Sequence, residues 1–289
     1  MNKPVFLIFI FLISANIFSW SVFDSIRGDN FLEVNFFNVG QGDCSFIKIP
    51  NGLKVIIDGG PDHNLLVEKI SKELPFWDRE IDLIIFTHPE DDHFAGLFEV
   101  LKRYKVKNIV WSGEDKDGVK FKNFKVAIGK EQEDGCLVSK VKAGDRIILK
   151  DAVMEVLFPF DITGFNNQNS TNGSSVVIKL TYGLNKFLFT GDVSSENEKE
   201  IINNKEDVGV DVLKVAHHGS KYSTSNYFLE KSLPKVAIIQ VGKNTYGHPS
   251  KETLENLNFF GVKVFRNDID GDIEIISDGK NLKLLSIDS

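Results

Sequence analysis

The chain has 289 residues, enough to bury a full core, and its 42% hydrophobic and 26% charged residues are those of an ordinary globular protein. Disorder, collagen and coiled coil are thereby excluded. With 34 Lys+Arg against 41 Asp+Glu the net charge is -7, so a broad basic face for nucleic acid is not expected and any phosphate-bearing substrate must be held locally.

The first residues stand apart from the globular part. Lys3 is the only charge before Asp24, and Val5 to Ile13 is an unbroken apolar run continued by Ile17, Phe18, Trp20, Val22 and Phe23. Residues 1–23 therefore read as a membrane-directed segment. An uncleaved anchor is favoured over a cleaved signal, whose site at Ser19 and Ser21 is poor. Lys3 on the near side implies that the rest is exported; secretion after cleavage is the alternative. Residues 31–287 read as one domain, without linker, low-complexity tract or repeat.

Glu33 to Val39, Cys44 to Ile49 and Leu53 to Ile57 are short apolar or alternating runs split by Gly-containing turns, which predicts an antiparallel meander. A helix fits Asn64 to Leu74, where Leu66, Val67, Ile70 and Leu74 fall at three- and four-residue spacing and Pro75 helps stop it. A fully apolar strand follows at Ile81 to Phe86, then a helix near Phe94 to Tyr104 and a strand at Asn108 to Trp111. Further strands are predicted at Val153 to Phe158, Ser175 to Thr181, Lys186 to Phe189, Val210 to Val215, Val236 to Val241, Val262 to Phe265 and Ile273 to Ile276. Helices are predicted near Ser195 to Asn203, Ser225 to Lys231 and Lys251 to Phe260. Strands in two batches, each with its own helices, suggest two packed sheets covered outside by helices. Cys44 and Cys136 form no ligand-spaced pair and read as buried small residues.

Five of the six histidines lie just beyond predicted strands, beside Gly, Pro or acidic residues. Thr87-His88-Pro89-Glu90-Asp91-Asp92-His93 ends the strand Ile81 to Phe86, where a turn can aim two imidazoles and a carboxylate at one point for a divalent metal. The competing reading is a solvated acidic loop in which Asp91 or Asp92 caps the next helix. Phe189-Thr190-Gly191-Asp192 exposes a carboxylate past a Gly, able to bridge two cations, although Gly-Asp is also an ordinary turn. His217-His218-Gly219-Ser220 follows another strand; if that strand continues, the two imidazoles point to opposite faces, one to ligate and one to support or donate a proton. Tyr246-Gly247-His248-Pro249 offers a phenol and an imidazole on a stiff loop, or a simple turn. Gly40-Gln41-Gly42-Asp43 and Asp58-Gly59-Gly60 are tight turns whose carboxylates could orient ligands. Lys102-Arg103, Lys105, Lys107 and Lys214 or Lys221 could help hold phosphate, and each reads otherwise as the solvated face of a helix or strand.

Together these motifs resemble the metallo-β-lactamase fold. More narrowly, they are similar to the branch found as the extracytoplasmic domain of ComEC-type competence (DNA-uptake) proteins and as stand-alone bacterial hydrolases. The resemblance covers nearly everything after the N-terminal segment and implies an α/β fold, a four-layer αββα sandwich with the metal site at one edge of the two sheets. It matches His88, Asp92 and His93 to the fold's His-x-His-x-Asp-His signature, with Glu90 at the place of the second His. Asp192 matches the bridging Asp, and His218 or His217 the final His. Asn172-Gly173-Ser174-Ser175 looks like the branch's Asn-x-x-Ser where the fold's middle His would lie, so the first metal's shell is short by one strong ligand.

The implied cofactors are two divalent ions, zinc or manganese, with magnesium possible given the oxygen-rich donors. The implied chemistry is hydrolysis by a metal-activated water, with Asp92, His217 and His248 as catalytic residues. Asp43, Asp58, Asn172, Ser175, Ser220 and Tyr246 are expected to support the ligands or the substrate. A phosphodiester, single-stranded DNA in particular, is the first choice of substrate, outside the cytoplasm and with a membrane channel as a candidate partner for a monomeric domain. The alternatives are hydrolysis of another phosphoester at the same site, a β-lactam being least favoured, and a non-catalytic binding module of a DNA-uptake or envelope complex.

Overall fold

In the computed structural model, residues 3–27, 31–50, 52–161 and 171–287 are described, without the side chains of 3–4, 17, 20–27 and 286–287. The N-terminal residues Lys3–Arg27 are helical. Among the described residues no helix is long and apolar enough to cross a membrane. The anchor expected over residues 1–23 lies partly outside the described residues.

The rest is a mixed α/β sandwich. One sheet has eight strands in the order Leu282–Ile287, Asp272–Ser277, Leu32–Phe36, Ser45–Ile49, Leu53–Ile57, Leu83–Phe86, Asn108–Trp111 and Leu137–Lys140. The other has seven, in the order Lys263–Arg266, Val236–Ile239, Val212–Lys214, Asn185–Phe189, Val177–Tyr182, Ala152–Phe158 and Arg146–Leu149. Alternation along the strands sorts side chains into layers. Val34, Phe36, Ile47, Ile57 and Ile85 of the first sheet meet Val156, Ile178, Phe187, Phe189, Val212 and Ile238 of the second in a shared core. Phe46, Ile56, Ile84 and Phe86 face outward under helices Leu65–Glu73, Leu97–Arg103 and Val119–Glu133. Leu188, Leu213, Val215 and Ile239 do the same under Ser195–Asn203, Asn226–Ser232 and Lys251–Phe259. The αββα layering follows from these three apolar clusters.

Each sheet is antiparallel on one side and parallel on the other. Leu53–Ile57, Leu83–Phe86 and Asn108–Trp111 run parallel in the first, and Asn185–Phe189, Val212–Lys214 and Val236–Ile239 in the second. The C-terminal ends of these strands collect at one edge of the sandwich, where open α/β sheets hold their ligands.

Several elements differ from expectation. The predicted helix Phe94 to Tyr104 is two pieces, Asp91–Phe94 and Leu97–Arg103. They join at Gly96, where a Cβ would lie 2.0 Å from the Gly59 carbonyl oxygen. Helix Val119–Glu133 buries only a narrow stripe of Phe121, Phe124 and Ile128, which left little signal among its lysines. Strands Leu137–Lys140 and Arg146–Leu149 are edge strands with mostly exposed side chains, so no apolar alternation marks them. Cys44 and Cys136 are buried free thiols.

Candidate metal centre

The site is assembled from the ends of the parallel strands. After Ile57 the chain turns through Asp58 in the left-handed region, φ 58°. Here Gly59 N–H donates to the His93 carbonyl at 2.6 Å and Gly96 N–H to the Gly60 carbonyl at 3.0 Å. The Asp-Gly-Gly turn is thereby bonded to the segment carrying His93. Asp58 accepts from Thr87 N–H at 2.8 Å and from Thr87 Oγ1–H at 2.7 Å, and its Oδ2 lies 2.8 Å from His93 Nδ1. Buried hydrogen bonds to a charged group are worth about 1.5–3 kcal/mol each, so His93 is held with Nε2 facing the centre. Gly42 lets the second turn approach: Asp43 N–H donates to the Asp92 carbonyl at 3.2 Å, and a Cβ at Gly42 would lie 2.4 Å from that oxygen.

From the other sheet, Asp192 follows the strand Asn185–Phe189, with its N–H donating to Ser175 Oγ at 3.0 Å. The strand ahead of the adjacent histidines ends at Lys214, which corrects the expectation that they alternate faces. His217 and His218 instead occupy the left-handed region at φ 50° and 53°, a strain of about 1–3 kcal/mol each for non-glycine residues. Both rings therefore turn toward Asp192, with Nε2 atoms 3.7 and 3.6 Å from its Oδ2. His218 is buried and His217 partly exposed. His218 Nδ1 is fixed by the Gln240 carbonyl at 2.9 Å.

Four donor atoms converge. His93 Nε2 is 3.4 Å from Asp192 Oδ1, His88 Nε2 is 3.9 Å from Asp192 Oδ2, and His218 Nε2 is 3.3 Å from Asp92 Oδ2. Nε2 of His88, His93 and His218 and Oδ1 of Asp192 are buried without a hydrogen-bond partner among the described residues, although buried polar atoms are normally paired. Their other ring nitrogens are engaged: His88 Nδ1 is 2.9 Å from Thr87 Oγ1, and those of His93 and His218 meet Asp58 and Gln240 as above. This is the arrangement of metal-binding imidazoles, one nitrogen oriented by a neighbour and the other aimed at the ion. The set His88, His93 and Asp192, the set Asp92, His93 and His218, and the sets Asp43, Asp192, His218 and Asp43, Asp58, His93 each place ligand atoms within 4.8 Å of one another. The residues thus fit a divalent ion bound through nitrogen and oxygen.

The electrostatics agree. Burial opposes charge on His93, but Asp192, Asp58 and Asp43 together push it well above the ordinary imidazole range. Against the same burial, Asp192 and Asp43 push His218 up to about 10. Burial, with His93 nearby, holds His88 well below that range. Despite burial, the imidazole of His218, Nε2 3.3 Å away, and the charge of His93 hold Asp92 well below the usual carboxylate range. The centre draws positive charge to itself.

Not every expected residue joins it. Glu90, predicted as a ligand, is turned away: its carboxylate pairs with Lys116 Nζ at 2.5 Å and accepts from Thr171 Oγ1. A cation already in reach captures it. Asn172 sits in the 3₁₀ turn Thr171–Ser174, and Ser175 supports Asp192 through its hydroxyl. Ser220 is buried, accepting through Oγ from Tyr222 N–H and through its carbonyl from Thr253 Oγ1–H, so it braces the turn after His218. His248 lies beside His217, ring centroids 5.3 Å apart, with Nδ1 buried and without a hydrogen-bond partner among the described residues. Tyr246 is exposed. A cavity of about 590 Å³ opens beside Asp92, lined among others by Gln41, Glu90, Lys116, Lys120 and Tyr246.

Sequence reasoning missed three contributors. Gln240 ties the sheets together, its Nε2 donating to the Cys44 carbonyl at 2.6 Å while its own carbonyl holds His218. Buried Glu198 fixes the following turn by accepting from Thr224 N–H and Ser225 N–H. Lys214, read as a help in holding phosphate or else as a solvated position, is buried and ion-paired with Asp43. Its signal was a lysine in the apolar run Val-Leu-Lys-Val, on the same face as Val212.

Asp58→Asn should remove one of the two acceptor oxygens and leave the orientation of His93 loose. Metal affinity measured by titration calorimetry is expected to fall about 10–100-fold; an unchanged affinity would contradict the orienting role.

Comparison with known proteins agrees with this geometry. The profile described as "Metallo-beta-lactamase superfamily" matches residues 37–243. The chain is 32% identical over 263 residues to ComE operon protein 3 of Bacillus subtilis (strain 168), covering 84% of this chain and 32% of that protein. It is 27% identical over 248 residues to Recombination protein 2 of Haemophilus influenzae, covering 84% of this chain and 28% of that one. The chain therefore spans about a third of the length of these curated relatives. Among solved structures, the metallo-beta-lactamase fold protein YhfI from Bacillus subtilis superposes with a TM-score of 0.57 at 12% identity, over 86% of this chain and 99% of that one. With its layered sheets, its convergent histidines and aspartates, and a profile match over most of its length, the chain belongs to the metallo-beta-lactamase superfamily.

Proposed function

We propose that the chain is a metal-dependent phosphodiesterase that cleaves DNA outside the cytoplasm. The observation that carries this reading is the convergence of three buried, unpartnered imidazole nitrogens and Asp192 Oδ1 beside an open cavity. His88, His93, His218 and Asp192 would hold the ion, zinc or manganese fitting these donors better than magnesium. Bound there, a divalent ion supplies Lewis acidity and makes hydroxide accessible near neutral pH.

The remaining steps belong to the chain's own side chains. Asp92, whose side chain is 34% exposed, stands between the buried donors and the cavity and can orient the attacking water. His217, 32% exposed, and His248 beside it can take the proton released by the attacking water and pass it to the leaving oxygen. Burial lowers both from the ordinary imidazole value, which keeps a neutral base available near pH 7. At the cavity, Lys116 and Lys120 are already paired with Glu90 and Asp91. Phosphate charge must then be met chiefly at the metal, in keeping with an acidic chain. DNA as substrate is supported by the resemblance to ComEC-type uptake proteins and by kinship with ComE operon protein 3 and Recombination protein 2. A membrane channel as partner of a monomeric domain is part of the same reading.

Hydrolysis of bis(p-nitrophenyl) phosphate and of single-stranded DNA, with manganese or zinc added to the purified chain, tests the activity. Metal-dependent turnover of both is expected. Metal binding without cleavage of either substrate would favour a non-catalytic binding module.

The proposed location is a membrane-tethered, extracytoplasmic one, supported by the exposed apolar side chains of Val5 to Ile13 on the N-terminal helix. The full-length protein is expected in the membrane fraction after alkaline wash, with the domain open to protease from outside the cell. A soluble form beginning near Val22 would instead show a cleaved signal.

A further inference from the structure

We propose that Tyr246 is the stacking platform for an unpaired nucleobase of single-stranded DNA, seated in the cavity beside Asp92 with its phosphodiester toward the metal donors. The inference deepens the phosphodiesterase reading above and rests on it.

The loop after the strand Val236–Ile239 is built to hold one side chain still. Asn244 Nδ2–H donates to the Gly242 carbonyl at 2.9 Å and to the His248 carbonyl at 2.7 Å, while its Oδ1 accepts from Tyr246 N–H and His248 N–H, both at 3.1 Å. At the root of the loop Gly242 N–H donates to Gln41 Oε1 at 3.3 Å, which ties the loop to the turn that carries Asp43. On this fixed frame the Tyr246 ring is 75% exposed and lines the cavity. A ring left in water adds little to the stability of the fold. A flat, amphipathic surface held in place is what a base stacks on.

The ring also stands where a nucleotide would need it. Its centroid is 5.9 Å from that of His248, which is 5.3 Å from that of His217, so aromatic side chains lead from the rim of the cavity to the imidazoles around Asp192. A nucleotide whose phosphate reaches the donors beyond Asp92 lays its base back along that line. Val119, 74% exposed, and Pro61 add apolar surface to the same lining.

Charge selects the base, rather than the backbone, as the part held here. The lining carries the carboxylates of Glu90, Asp91, Asp92 and Asp117 against the ammonium groups of Lys116 and Lys120. Both lysines are spent, on Glu90 at 2.5 Å and on Asp91 at 2.6 Å. An acidic cavity repels a string of phosphates but accepts an uncharged π-face. In a duplex each base is already stacked and paired, so a single strand offers its bases at the least cost.

The test compares oligothymidylate with a strand of the same length whose residues are abasic, both cleaved by the full-length chain with manganese added. The wild type is expected to show a kcat/KM about tenfold or more higher for the strand with bases, the difference lying in KM because the stack is made in the ground state and the transition state alike. In Tyr246→Ala that preference should fall to near one, whereas Tyr246→Phe and Tyr246→Trp, which keep a ring, should retain it. Tyr246→Trp also gives a reading that needs no turnover. Relative to the wild type, its added fluorescence should be quenched by oligothymidylate and not by the abasic strand.

A Tyr246→Ala variant that keeps the wild-type preference, even with activity lost on both strands alike, would overturn the inference and leave the phosphodiesterase reading standing. A wild type without the preference would do the same. Should neither strand nor bis(p-nitrophenyl) phosphate be cleaved, the phosphodiesterase reading falls. Quenching of Tyr246→Trp by oligothymidylate would then uphold the stacking site in a binding module, and its absence would remove both.

Discussion

Asp192→Ala is expected to strip the metal from the protein and abolish metal-dependent hydrolysis. Asp192 is the carboxylate on which the imidazoles of the site converge: His88, His93, His217 and His218 each place Nε2 within 3.9 Å of its oxygens. It is 4% exposed, a carboxylate of the buried interior of the centre. An ion present at a hundred times its dissociation constant stabilises the folded state by about 2.7 kcal/mol. For a domain of this size that corresponds to roughly 5–10 °C in melting temperature. The variant should lose this metal-dependent increment as well as the metal measured by elemental analysis. Full occupancy in Asp192→Ala would refute its place at the centre.

The second large effect separates the two adjacent histidines. Both lie in the left-handed region, so backbone geometry alone no longer assigns their roles, but their surroundings do. His218 is buried, with Nδ1 fixed by Gln240 and Nε2 unpartnered. His217 is partly exposed next to His248. His218→Ala is expected to lose metal and activity together. His217→Ala should retain the metal and lose about 10² to 10⁴-fold in turnover, the usual worth of general acid-base help. Metal content and turnover measured on both variants check the assignment; the reverse pattern would exchange the roles. No effect of either change on metal content or hydrolysis would rule against a metallohydrolase at this centre.

The interior was legible in the sequence, and the edges were not. Leu83–Phe86 and Val236–Ile239 are buried on both faces, so their unbroken apolar runs announced strands. Leu137–Lys140 and Arg146–Leu149 sit at sheet edges, where hydrogen bonding rather than burial makes the strand and the side chains carry no pattern. At the site, His88, His93, Asp192 and His218 could be read because polar residues directly after apolar strands have few structural uses. The pairing of Glu90 with Lys116 was not legible because a motif position fixes where a residue begins, not where a flexible carboxylate ends, and Lys116 comes from a loop far along the chain. The opposite-face expectation for His217 and His218 failed because period-two alternation applies only while the strand lasts. Lys214 was hidden by composition: most lysines are solvated, and only the meeting of two sheets buries this one against Asp43.

The central claim is that the converging histidines and aspartates form a metal centre that completes the fold. Its most direct test is the melting temperature of the purified full-length chain before chelation, after chelation, and after return of zinc or manganese. Chelation is expected to lower the transition and the returned ion to restore it, with bound metal found by elemental analysis in the first and third states alone. An unchanged transition with no metal bound in any state would contradict the account.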